Sequence, residues 1–190
     1  INADGSTSHW VTVLSGDSAV RLSQTVTAVS ADKLTSTVTI DANGDGAPDV
    51  TTTRSEAANG VTTVTTQTFR PNGQMVSRTV TTTDASGLFS CATIDANRDV
   101  KNETVISDVT ILNADGSRAR TLDTNNGDGS NRGLTLIRTS DDGLSVWSHV
   151  DLNGIGASRG ELELRRRQQQ EVLAHGQRLG RIHKLLECHA

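Results

Sequence analysis

The feature that most limits what this chain can become is a turn signal that returns at short, regular intervals. Asp41-Ala42-Asn43 recurs as Asp95-Ala96-Asn97 and again as Asp151-Leu152-Asn153, at offsets of 54 and 56 residues. Three further turns stand between successive copies. Ala58-Asn59-Gly60 corresponds to Asn113-Ala114-Asp115-Gly116-Ser117 and to Asn2-Ala3-Asp4-Gly5-Ser6. Pro71-Asn72-Gly73 corresponds to Asn126-Gly127-Asp128-Gly129 and, more loosely, to Ser15-Gly16-Asp17. Asp84-Ala85-Ser86-Gly87 corresponds to Asp141-Asp142-Gly143 and to Ser30-Ala31-Asp32. Asn, Asp and Gly favour turns because their side chains cap nearby backbone or because they tolerate positive φ. Four turns in about 55 residues leave room only for short strands joined as hairpins.

The segments between turns support that reading. Val76, Arg78 and Val80 alternate with Ser77, Thr79 and Thr81, and Val61–Phe69 is nearly all Thr and Val. β-branched residues fit a pleated surface and pair across strands. Hydrophobic residues are only 34% of the chain and aromatics 2%, which is lean for a thick core. A disordered chain would be poor in β-branched residues, and this one is full of them. The expectation is an all-β fold, an antiparallel meander of about three four-stranded repeats over residues 1–160. One face would be wet, and the other would be covered by neighbouring repeats or by a second chain.

Residues 161–190 change in style. Thr vanishes, and Leu162, Val172, Leu179, Ile182 and Leu186 fall near a 3.6-residue stripe. That predicts a C-terminal α-helix forming a helical tail that packs on the sheet or self-associates, unless the tail is foreign to the repeat altogether. The tail carries six Lys/Arg against four Asp/Glu, and residues 1–160 carry 12 against 18. An acidic body suits cations and argues against a nucleic-acid groove, which needs a basic face. No apolar run of 18 residues exists, so no membrane span is expected. Cys91 and Cys188 stand in very different surroundings and need not meet, although a disulfide between them is possible. The chain starts at Ile1 in mid-repeat, with no signal peptide ahead of it, and so reads as a fragment.

Asp41-Ala42-Asn43-Gly44-Asp45-Gly46-Ala47-Pro48-Asp49 places oxygen-bearing side chains first, third, fifth and ninth, with glycine sixth. A hard cation such as Ca2+ takes six to eight oxygen ligands at roughly 2.3–2.6 Å from a tightly turned loop. Asp41, Asn43 and Asp45, the carbonyl of Ala47, and Asp49 form the expected ligand set. A turn that binds nothing draws on the same residue types, but agreement over the whole loop favours the ion. The strand-like residues on either side exclude a helix-loop-helix site.

The second copy offers Asp95, Asn97, Asp99, the carbonyl of Lys101, and Glu103, with Val100 in the glycine place and Arg98 and Lys101 adding positive charge. The third has lost its fifth-place acid and carries Arg159 ninth, so it reads as a metal-free turn. Asp123, Asn125 and Asp128 form a weaker metal candidate with one residue inserted.

Ile40–Val50 resembles the calcium loop of FG-GAP/VCBS-type repeats in secreted and cell-surface proteins. The Thr-rich chain with its recurring Asn-Ala-Asp-Gly-Ser is similar to tandem repeats of RTX-like secreted bacterial calcium-binding proteins. The resemblance implies calcium as cofactor, a secreted or cell-surface location, and a structural or adhesive role. It identifies no activity. The alternative is a small metal-dependent phosphoester hydrolase using the same loops, with zinc or another divalent ion. Its candidate catalytic residue is His149, two residues before Asp151, while His183, Cys188 and His189 offer softer ligands. Neither H-E-x-x-H nor G-x-S-x-G nor a Cys-x-x-Cys pair occurs. Sugar-binding platforms need exposed aromatics, and Trp10, Phe69, Phe89 and Trp147 are the only four.

Overall fold

A computed structural model describes residues 1–17, 20–99 and 101–152. The helix expected over 161–190, Asn153, and the softer ligands His183, Cys188 and His189 lie outside the described residues. So does the Cys188 end of any disulfide.

The described chain is all-β, with eleven strands: β1 (Thr7–Leu14), β2 (Arg21–Val29), β3 (Thr35–Asp41), β4 (Val50–Glu56), β5 (Thr62–Phe69), β6 (Met75–Thr83), β7 (Phe89–Asp95), β8 (Thr104–Leu112), β9 (Arg118–Asn126), β10 (Asn131–Thr139) and β11 (Val146–Asp151). They form one sheet in chain order from β1 to β11, an antiparallel meander in which each strand pairs with its successor. Every turn read from the sequence between Leu14 and Val146 separates two of these strands, while Asn2–Ser6 precedes β1 and the Asp151 copy ends β11. By compactness the chain divides into one unit of Ile1–Ala85 with Ile94–Lys101, and another of Ser86–Thr93 with the chain from Asn102 onward.

In the first unit the rungs are rich in threonine. Thr37 sits opposite Thr53 and Thr53 opposite Thr65, while Thr52 sits opposite Thr66 and Thr66 opposite Thr79. Hydroxyls meet across strands, Thr37 Oγ1 to Thr53 Oγ1 at 3.4 Å, Thr52 Oγ1 to Thr66 Oγ1 at 3.2 Å, and Thr68 Oγ1 to Ser77 Oγ at 2.6 Å. Such pairs stabilise a sheet by a few tenths of a kcal/mol to about 1 kcal/mol each. On β5 the expected difference between a wet face and a covered face is absent, since every position is half-buried. By contrast, β7 buries alternate residues at Phe89 and Cys91, as β10 does at Leu134 and Leu136. Both Thr and Val of β5 are shaded by cross-strand neighbours, and no second sheet is present among the described residues.

The second unit holds the four buried apolar side chains of the described residues, Phe89, Cys91, Leu134 and Leu136. It also holds an ion pair across β8 and β9, where Arg120 Nε donates to Asp108 Oδ1 at 2.9 Å. The buried residues of the first unit are of another kind: they are Asp41 and Asp95.

Candidate metal centre

Asp41, Asp95 and Asp151 are the three buried polar residues among those described, at 6%, 9% and 8% exposure. Each is the last residue of its strand and the first of one copy of the recurring loop. Carboxylates are rarely buried without a compensating partner, because loss of hydration penalises the charged form. The repeat therefore places a charged group in the same sheltered position three times.

The first two loops are built alike. The N–H of Gly44 donates to Asp41 Oδ1 at 2.7 Å, and the N–H of Arg98 donates to Asp95 Oδ1 at 2.6 Å. Asn43 Oδ1 accepts from the N–H of Asp45, as Asn97 Oδ1 does from Asp99, both at 2.9 Å. Asp45 Oδ1 accepts from Ala47 N–H at 2.8 Å, and Asp99 Oδ1 from Lys101 N–H at 2.9 Å. Successive Asx turns thus wind each loop so that every second side chain points back along its own backbone. Both loops need a left-handed residue fourth, and Gly44 (φ 77°) and Arg98 (φ 65°) supply it.

Asp41 also takes partners from farther along its loop and from the neighbouring strand. Asp41 Oδ2 accepts the N–H of Gly46 at 2.9 Å and Arg21 Nη2 at 2.9 Å. Burial pushes the Asp41 carboxyl upward, but the N–H groups of Gly46 and Gly44 and the charge of Arg21 outweigh it, and the carboxyl ends below its usual range. Asp49 Oδ2 closes the loop by accepting the N–H of Ala42 at 2.7 Å, and Asp49 N–H donates to the carbonyl of Ile40 at 2.8 Å.

In the second loop, Asp95, Asp99 and Glu103 bring one carboxylate oxygen each to within 4.8 Å of one another. Oxygens on opposite sides of a calcium ion with bonds of about 2.4 Å stand about 4.8 Å apart. Three hard oxygen donors carrying three negative charges fit calcium far better than zinc, which prefers nitrogen and sulfur. Among the described residues this is the one such grouping of three or more His, Cys, Asp or Glu, and it contains no histidine.

The other sequence candidates are placed differently. Asp123 and Asn125 lie on β9 and face Asn131 of β10, whose Nδ2 donates to Asp123 Oδ1 at 2.7 Å. Asp128 is held within its own hairpin turn, accepting the N–H of Ser130 at 2.9 Å. The ring of His149 stacks on Trp147, with centroids 6.1 Å apart, and the Arg138 guanidinium lies 5.8 Å from the Trp147 ring.

Arg21 was not legible as a site residue. It lies twenty positions upstream of Asp41, and only strand register brings the two together: Gln24 pairs with Asp41, and Arg21 stands three residues before Gln24. No protein-family model matches this chain, and no curated protein matches it in sequence.

Proposed function

We propose that this chain is a calcium-binding β-repeat segment of an exported bacterial protein, in which acidic hairpin loops take the ion and the sheet serves a structural or adhesive role. The observation that carries the reading is the grouping of Asp95, Asp99 and Glu103, headed by a buried aspartate. The loop of Asp41, Asn43, Asp45, Ala47 and Asp49 shares its backbone frame and is the second calcium candidate. Calcium would cancel the repulsion among clustered carboxylates and fix the loop that sets register between adjoining strands. Export and likeness to RTX-type repeats complete the proposal, since calcium-rich surroundings would supply the ion.

Self-association through a sheet face also belongs to this reading. Trp10, Val11, Val13 and Leu14 of β1 are exposed, an apolar set that a partner strand or sheet would cover. No helix among the described residues is long and apolar enough to cross a membrane.

Calorimetric titration with calcium, repeated on Asp99→Asn, tests the proposal. Binding is expected in the parent chain, with the site containing Asp99 weakened about tenfold or more by loss of one carboxylate. A flat titration would remove calcium from the account. Turnover of activated phosphate esters that disappears with EDTA would favour the hydrolase alternative.

A further inference from the structure

The three loop-heading aspartates are buried alike, yet one strand position delivers a different side chain in each repeat. Arg21 is the first residue of β2, opposite Leu14 at a register shift, and lies three residues before the residue that pairs with Asp41. Asn131 is the first residue of β10, opposite Asn125 at a register shift, and lies three residues before Leu134, which pairs with Asp151. Met75 begins β6, opposite Phe69 at the same kind of shift. Arg21, Met75 and Asn131 are thus equivalents in successive repeats: a cation, an uncharged thioether and an amide.

In the first repeat the cation is seated. Arg21 Nη2 lies 2.9 Å from Asp41 Oδ2. A Cβ built on Gly44 would fall 2.0 Å from the Arg21 carbonyl oxygen, and one built on Gly46 would lie 3.2 Å from Arg21 Nη2. The two glycines therefore let the loop close down directly on this arginine, both on its backbone and on its head group. Yet the arginine is incompletely satisfied, because its Nε is buried without a hydrogen-bond partner. An unmet donor of that kind makes a seated group easier to displace. In the second repeat the equivalent Met75 brings no charge, and its sulfur instead accepts from Gln67 Nε2 at 3.1 Å.

We infer that Arg21 is a tethered competitor for the cation position of the 41–49 loop, so that the two loops fill at different calcium concentrations, the 95–103 loop first. This rests on the calcium reading above and adds its regulation. A calcium ion taking Asp41 Oδ2 must displace the guanidinium, whose like charge opposes it at close range. The 95–103 loop meets no such rival from the equivalent strand position. The first loop keeps its fold when calcium is scarce because its buried carboxylate already has a counter-charge. Sequence spacing, which makes the 41–49 loop the better site, thus gives the reverse of the filling order.

The test is calcium titration of the full chain by calorimetry, comparing the parent with Arg21→Met, which installs the side chain of the second repeat, and with Met75→Arg, which transplants the rival. The parent should show one tighter and one weaker step. Arg21→Met should tighten the weaker step about tenfold, and Met75→Arg should weaken the tighter step by a similar factor. Should Arg21→Met fail to fold, Met75→Arg and the NMR signal of Arg21 Nε–H in the parent still decide, since that signal should shift only over the weaker step. Calcium binding that is indifferent to both substitutions would overturn the inference and leave the calcium reading intact. No calcium binding by any of the three proteins would overturn both.

Discussion

The fourth place of each loop shows how much a single residue decides. Gly44 has φ 77°, and its missing Cβ is what lets the Arg21 carbonyl approach, so Gly44→Ala meets both a disfavoured conformation and a backbone collision. The expected loss is about 2 kcal/mol or more, read from chemical denaturation. Arg98 occupies the same place at φ 65° with a full side chain, a conformation that costs L-residues about 1 kcal/mol. Arg98→Gly should therefore stabilise the chain by up to about 1 kcal/mol and, by removing a positive charge beside Asp95, tighten calcium binding there. If stability fell instead, the Arg98 side chain would be making contacts that outweigh its strain. The sequence showed that Arg98 departs from the glycine of the first loop. The backbone angle showed that the fourth place keeps its left-handed conformation regardless.

The hairpin turns are the elements that the sequence rendered best. Asn2–Ser6, Asn113–Ser117 and Asn126–Ser130 repeat one arrangement: Asn Nδ2 donates to Ser Oγ at 2.9 Å, and the Ser N–H donates to the Asp carboxylate at 2.9 Å. Local chemistry of this type depends only on neighbours in the chain, which is why it could be read directly. The Ser6, Ser117 and Ser130 hydroxyls, and then their N–H groups, hold Asp4, Asp115 and Asp128 below the usual carboxylate range. Their folded form therefore favours the ion, and its contribution is complete above the ordinary carboxylate range. It is lost as pH falls through that range and below it. Protection of the Ser6, Ser117 and Ser130 amides, relative to their intrinsic exchange at each pH, should fall over that interval. Unchanged protection would mean that the backbone bonds alone hold these turns. Burial was less legible than the turns. Periodicity suggested an inner and an outer face, whereas Thr62–Phe69 is shaded evenly on both. Shading depends on what lies across the sheet, and a linear pattern does not carry that.

For the whole molecule, stability is expected to depend on calcium, because few apolar side chains are buried among the described residues. Four of those apolar residues are buried, all in the second unit, while the first buries aspartates. An ion bound only by the folded form, at about 100 times its dissociation constant, adds about 2.7 kcal/mol. Thermal unfolding should therefore shift upward with calcium and return on chelation, and an unmoved transition would separate the ion from the fold. The overall architecture was legible because it is a sum of hairpins, each announced by its own turn. The site was legible only in part: Asp95, Asp99 and Glu103 sit close in sequence, but Arg21 reaches Asp41 from the adjoining strand through register. Pairing each strand with its immediate successor has one more consequence. Every closure spans only a short stretch of chain, so little entropy is lost at each step and no strand waits for a distant mate. A polypeptide emerging end-first from a narrow channel could set into shape progressively, each new ribbon laid against the last.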